Sequence, residues 1–196
     1  MATVPGTLVL PGRVVSARGA TSRLLEEAAD FGSRGLVVHG RSLNGADVLR
    51  RIVGDAGRIR SWEHAGGEPT LDDLRRLLAF ARKGDLDWVA GIGGGSVLDL
   101  AKAGAGLLEA PEDPEAYHEG APIPASRIPF LAVPTTAGTG SECTVVCVLT
   151  NERTHVKKSF RHASFMARVV ILDGERVESC PPGVIAASGM DALTQA

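Results

Sequence analysis

The chain has 196 residues, with 21 Lys and Arg against 23 Asp and Glu for a formal net charge of −2. Apolar residues make up 44% and charged residues 22%, a globular balance that excludes intrinsic disorder, and the lack of a basic excess argues against a nucleic-acid partner. Glycine stands out at 24 residues, about 12% against the roughly 7% usual in proteins, so close backbone approaches and turns are expected. No run approaches the ~20 apolar residues of a membrane span, and the first six residues show no basic-then-apolar export signal. Three cysteines, Cys143, Cys147 and Cys180, are an odd number without such a signal. A reduced, cytoplasmic protein with no membrane partner is the expectation.

In chain order, residues 36–39 form a buried-strand candidate closed by Gly40, and residues 44–57 place Val48, Leu49, Ile52, Val53 and Ala56 on one helical face. Residues 58–62 read as a weaker strand. Thr70 and Asp73 make a capping box for a helix carrying Leu74, Leu77, Leu78 and Ala81. A strand at 87–92 runs into a helix from Ser96 to about Leu108, with Ser96 and Asp99 read as N-cap and partner. Residues 110–128 read as an irregular loop, and strands follow at 130–133 and 169–172. A hairpin is predicted over 144–161, turning at Asn151-Glu152-Arg153. Cys143 and Cys147 fall on one face of its first strand. After Pro181-Pro182 a helix begins, Gly189 interrupts it, and a second helical segment opens at Met190 and is cut at Ala196. Alternating helices and near-continuous apolar strands predict an α/β fold with a parallel sheet covered on both faces.

Two loops carry the chemistry. The strand at 87–92 runs into Gly93-Gly94-Gly95-Ser96 at the start of a helix, where side-chain-free backbone and unpaired N–H groups favour an anion such as a pyrophosphate. The spacing departs from the dinucleotide fingerprint G-x-G-x-x-G. The strand at 130–133 leads into Pro134-Thr135-Thr136-Ala137-Gly138-Thr139-Gly140-Ser141-Glu142, four hydroxyls and two glycines suited to ribose and phosphate oxygens. Both loops follow the carboxyl ends of strands, the edge where open α/β sheets bind ligands, and a nucleotide cleft is predicted between 93–96 and 135–141.

Gly-Gly-Gly-Ser-x-x-Asp-x-x-Lys at 93–102, the nine residues at 134–142, and Gly-Met-Asp-Ala-Leu-Thr at 189–194 resemble the iron-containing alcohol dehydrogenase family. That family is related to glycerol dehydrogenase and dehydroquinate synthase. Gly67-Glu68-Pro69 and Lys157-Lys158-Ser159 also fall where the family has similar residues. The resemblance implies a Rossmann-like NAD(P)-binding domain over 1–180 with the hairpin inserted, and the start of an all-helical metal-binding domain over 181–196. It implies hydride transfer between a nicotinamide and a small alcohol or aldehyde, helped by a divalent iron or zinc ion. Mapped onto this sequence, Gly94, Gly95 and Ser96 meet the pyrophosphate, with Gly93 beside them in the cofactor-binding turn, Thr135, Thr136 and Thr139 line the ribose and nicotinamide side, and Asp99 and Lys158 neighbour the cofactor. For Asp99 and Lys102, a helix cap and an i,i+3 pair remain an equal alternative.

The sequence also departs from the family. Asp191 matches its first metal ligand, but Gln195 stands where it has histidine, and an amide oxygen is a poorer ligand than imidazole for iron or zinc. His39, His64, His118, His155 and His162 form no ligand-spaced pair and read as surface or structural. After the second strand, Gly40 and Ser42 replace the acidic residue that bonds a ribose 2′-OH in many NAD enzymes, and Arg41 adds positive charge, which favours NADP over NAD. The 196 residues alone are expected to be inactive, and an open apolar face predicts a homo-oligomer, a dimer or larger. A lyase resembling dehydroquinate synthase, or a nucleotide-binding module without metal chemistry, are the alternatives.

Overall fold

The structure is a computed structural model that describes residues 8–43, 45–54, 57–178 and 180–195, with the backbone alone at Gln195. Its elements run β1 (Arg13–Ser16), α1 (Leu24–Ala28), β2 (Gly35–Gly40), α2 (Asp47–Val53), β3 (Ile59–His64), α3 (Leu71–Ala81), β4 (Trp88–Gly93) and α4 (Gly95–Leu107). Then come α5 (Pro114–Glu119), β5 (Phe130–Pro134), β6 (Val146–Asn151), β7 (Val156–Arg161), β8 (Val169–Leu172), α6 (Gly174–Glu178) and α7 (Pro182–Gln195). Six strands make one sheet in the order β1-β8-β5-β4-β2-β3, every pairing parallel. β6 and β7 form a separate antiparallel hairpin.

The continuous apolar strands follow from burial on both sides. Leu36, Val38, Val89, Phe130, Ala132 and Val170 join the core under α3 and α4. Their alternates Val37, Ala90, Ile92, Leu131, Val133, Val169 and Ile171 join the core under α1 and α2. Period-2 alternation thus sends successive residues into two hydrophobic layers. α3 starts where its capping box places it, with the Thr70 hydroxyl accepting from the Asp73 amide at 3.0 Å and the Asp73 carboxylate accepting from the Thr70 amide at 3.1 Å. α4 lies against α3 so closely that a Cβ on Gly104 would sit 2.8 Å from the Leu77 side chain, and one on Gly106 would overlap the Phe165 ring. Part of the glycine excess is therefore close packing.

The hairpin is fastened to the domain. Cys147, Leu149 and Phe160 are buried in the core, and the Thr150 amide donates to the Pro69 carbonyl at 2.9 Å. Arg75 on α3 pairs with Asp113 and Glu115 near α5 and with Glu152 in the hairpin turn.

Several expectations are corrected. β1 was not predicted from the sequence: Arg13-Val14-Val15-Ser16 is an edge strand with few apolar residues, and its pairing with β8 makes it a strand. Residues 110–128 contain α5, capped by the Asp113 carboxylate accepting from the Glu115 amide at 2.9 Å. α2 covers less than the predicted 44–57, and Asn44, Asp55 and Ala56 lie outside the described residues. α7 runs unbroken through Gly189, since one helical glycine costs only about 1 kcal/mol. Cys143 is exposed in the turn Ser141–Cys143 before β6, so it shares no strand face with the buried Cys147.

Candidate functional site

The chain goes outward from β2 to β3 and returns to β4 on the other side of β2. The crevice at this reversal lies between the carboxyl ends of β2 and β4, one strand away from the predicted position between β4 and β5. The two predicted loops are nevertheless neighbours. Gly93 and Pro134 are register partners, and the Thr135 amide donates to the Gly93 carbonyl at 3.0 Å.

Helix α4 begins at this edge. Gly94 is its N-cap, with no side-chain hydrogen bond to the first turn, so the opening amides are left for another acceptor. This corrects the reading of Ser96 as the cap with Asp99 as its partner. A Cβ on Gly94 would lie 3.3 Å from Thr136, and one on Gly95 3.3 Å from Thr139. The glycine turn and the threonine loop therefore face each other across a gap that side chains would narrow.

Two adjoining hollows share Glu68, Gly95, Ser96, Thr139 and Asp191. One, of about 560 Å³, is also lined by Gly40, His64, Gly94, Thr136 and Ser188. The other, of about 470 Å³, is also lined by Asp99, Ser141, Thr144, Val146, Val148 and Lys157. A smaller hollow of about 210 Å³ beside Thr136 holds Ser42 and Thr135. Pockets of this combined size suit a dinucleotide. α7 closes one side: Val184, Ala187, Ser188 and Asp191 face the groove, and a Cβ on Gly138 would overlap the Ser188 carbonyl.

The structure thus gathers Gly40, Gly94, Gly95, Ser96, Asp99, Thr136, Thr139 and Asp191 into one cleft, with Ser42 and Thr135 at its end. Gly93 lies beneath, where a Cβ would press on Val97 at 2.5 Å. Lys158 is not in the cleft. Lys157 pairs with Thr150 and Lys158 with Leu149, so alternation puts Lys157 on the same side as Val146 and Val148, and Lys158 on the other. Lys157 also pairs with Glu68 at 2.7 Å. The sequence placed both in suggestive motifs, but choosing between adjacent lysines needs the strand register. Gln195 is in α7, one turn beyond Asp191, and its side chain lies outside the described residues. Arg41 is an exposed side chain with its Nε 4.0 Å from a Glu63 carboxylate oxygen.

Beneath the cleft, the Lys102 side chain is 0% exposed. Its Nζ donates to the carbonyls of Ser141 at 2.6 Å, Val146 at 2.7 Å and Thr144 at 3.1 Å, and to the Thr144 hydroxyl at 3.1 Å. Asp99 accepts from the Ser141 hydroxyl at 2.6 Å and from the Val148 amide at 3.0 Å, and stands 4.0 Å from Lys102. Burial pushes the Asp99 pKa up against those hydrogen bonds, and burial pulls the Lys102 pKa down against the attraction of Asp99.

A cleft of amides and hydroxyls at the carboxyl edge of an all-parallel sheet defines the chain as a Rossmann-like α/β domain with an added hairpin. A family model described as iron-containing alcohol dehydrogenase matches residues 11–174, and the chain belongs to that family. It is 43% identical over 151 residues to a probable alcohol dehydrogenase, EutG, of Salmonella typhimurium, covering 77% of this chain and 38% of that protein. It is 31% identical over 168 residues to the NADPH-dependent butanol dehydrogenase of Clostridium saccharobutylicum, covering 82% and 43%. The crystal structure of sulfoacetaldehyde reductase from Bifidobacterium kashiwanohense in complex with NAD+ superposes with a TM-score of 0.90 at 28% identity, covering 98% of this chain and 52% of that one. The chain spans about half or less of the length of these relatives.

Among the described residues, no three His, Cys, Asp or Glu side chains converge as a metal site would require. The described residues therefore do not by themselves fit an iron or zinc ion, and Asp191 lines both hollows of the cleft. No helix among them is long and apolar enough to cross a membrane.

Proposed function

We propose that this chain is the cofactor-binding part of an oxidoreductase that moves a hydride between NAD(P) and a small alcohol or aldehyde. Residues 1–180 form the dinucleotide domain in this reading, and residues 181–196, which contain α7, open the helical metal-binding region. The observation that carries it is the uncapped start of α4 facing the threonine loop, together with the NAD+-bound relative that shares this fold. Bound there, the cofactor supplies or accepts the hydride. The amides of Gly95 and Ser96 hold the pyrophosphate by their N–H groups and the helix dipole. Thr136 and Thr139 hydrogen-bond the ribose on the nicotinamide side, with Lys157 beside them, and α7 keeps water from that side of the groove. A homo-oligomeric, cytoplasmic protein belongs to the same reading. The exposed Ile185, Met190 and Leu193 on α7 are the apolar surface that supports association.

Gly94→Val tests the cradle. Its Cβ would already be 3.3 Å from Thr136, so its methyl groups occupy the space a phosphate needs. Calorimetric titration should show at least a tenfold weaker affinity for NAD(P), about 1.4 kcal/mol. Equal affinity in a folded variant removes the pyrophosphate from this turn.

The end of β2 favours NADP. Gly40 and Ser42 offer no carboxylate to a 2′-phosphate, and Arg41 offers a cation that Glu63 only loosely engages at 4.0 Å. Titration should find NADP+ bound several-fold more tightly than NAD+. The reverse order would overturn the NADP preference.

A further inference from the structure

We propose that Lys102, with Asp99, is a positioning residue for the cofactor cleft: it fixes the wall formed by residues 139–148 to helix α4, the helix whose first turn makes the opposite wall. This rests on the cofactor reading above. A protonated lysine has three N–H groups, and here they meet three backbone carbonyls, those of Ser141, Thr144 and Val146. These carbonyls belong to a turn and the start of β6, whose edge away from β7 has, among the described residues, only an isolated bridge from Thr150 to Thr70. Asp99 acts on the same segment from one helical turn earlier, through the Ser141 hydroxyl and the Val148 amide.

The same segment presents Thr139, Ser141, Thr144, Val146 and Val148 to the hollow that also touches Gly95 and Ser96. One side chain, buried and out of reach of the ligand, therefore sets the distance between the two walls. An apolar residue of equal length would fill the volume but take the ammonium donor from all three carbonyls, leaving those of Ser141 and Val146 with the Thr144 amide and hydroxyl and that of Thr144 with no other donor among the described residues. The segment would then have to move outward to reach water.

The test compares the wild-type chain, Lys102→Met and the remote core variant Ile52→Val at a temperature where all are folded. The two readouts are NAD+ affinity by calorimetry and amide hydrogen exchange along the chain. Lys102→Met should bind NAD+ at least tenfold more weakly and exchange faster at 139–148. Ile52→Val, buried on the far face of the sheet, should lower the melting temperature and leave affinity within twofold. If Lys102→Met does not fold, Lys102→Gln, which keeps two donors, carries the same comparison. A Lys102 variant that binds as wild type, or exchanges at 139–148 as wild type, overturns the positioning role. A wild-type chain that does not bind NAD+ or NADP+ overturns the cofactor reading instead, and unchanged exchange at 139–148 in the variant then overturns the positioning claim separately.

Discussion

Asp173→Ala is expected to destabilise the protein by about 3 kcal/mol or more, because a buried carboxylate that satisfies several donors cannot be removed without stranding them. Asp173 follows β8 and is 3% exposed. It accepts hydrogen bonds from the Gly19 amide at 2.8 Å, the Thr21 amide at 2.9 Å, the Thr21 hydroxyl at 2.6 Å and the Glu175 amide at 3.1 Å. It ties the turn after β1 to the start of α6, and so holds the edge strand whose own sequence is weak. For a chain of this size the melting temperature should fall by roughly 10 °C. A loss under about 1 kcal/mol would mean that water replaces the carboxylate at no cost.

The same group gives a pH dependence. Burial alone would raise the pKa of Asp173, but the hydrogen bonds from Thr21, Gly19 and Glu175 outweigh it and leave the carboxyl below its usual range. A carboxyl with a folded-state pKa below its unfolded value contributes stability that is present above the unfolded value, about 3.9. That stability is lost as the pH falls through the folded value. Acid titration of wild type should therefore show a steeper loss below about pH 4 than Asp173→Asn, which has no proton to take up.

Gly106→Val is expected to cost about 2–3 kcal/mol, even though valine is the better helix former of the two. A Cβ at this position in α4 would overlap the ring of Phe165, which is fully buried beneath the helix. Neither can move without disturbing the layer that carries α4 and, through it, the glycine turn at its other end. Gly189 in α7 is the contrast, since no described residue lies within 4 Å of a Cβ there. Gly189→Ala should stabilise by a little under 1 kcal/mol, the ordinary helix-propensity gain. Chemical denaturation of both variants decides the matter: a stable Gly106→Val would mean that the helix and sheet layers do not pack as closely as described.

These two glycines show how far the sequence could be read. The glycine excess indicated close approaches, but not that Gly106 faces a ring while Gly189 faces open space, because that depends on which elements meet. The parallel sheet was legible at β2, β4, β5 and β8, where burial on both faces forces an apolar run. β1 was not, because an edge strand takes its conformation from β8 and needs little apolar sequence of its own. In the cleft, the glycine and threonine loops were legible as backbone and hydroxyls at strand ends. The choice of Lys157 over Lys158 was not, since a one-residue change of register reverses the face. Asp99 reads from the sequence as a cofactor neighbour or, with Lys102, as a helix cap and an i,i+3 pair, and only the fold shows the two enclosed by the turn from 141 to 146.

The central claim is that the amides at the start of α4 hold the cofactor pyrophosphate opposite Thr136 and Thr139. A crystal structure of this chain with NADP+ or NAD+ bound tests it most directly. The account predicts pyrophosphate oxygens within hydrogen-bonding distance of the Gly95 and Ser96 amides, with the nicotinamide half running toward Thr139 and Lys157. A dinucleotide bound with its pyrophosphate elsewhere, and the α4 amides left to water, would contradict it.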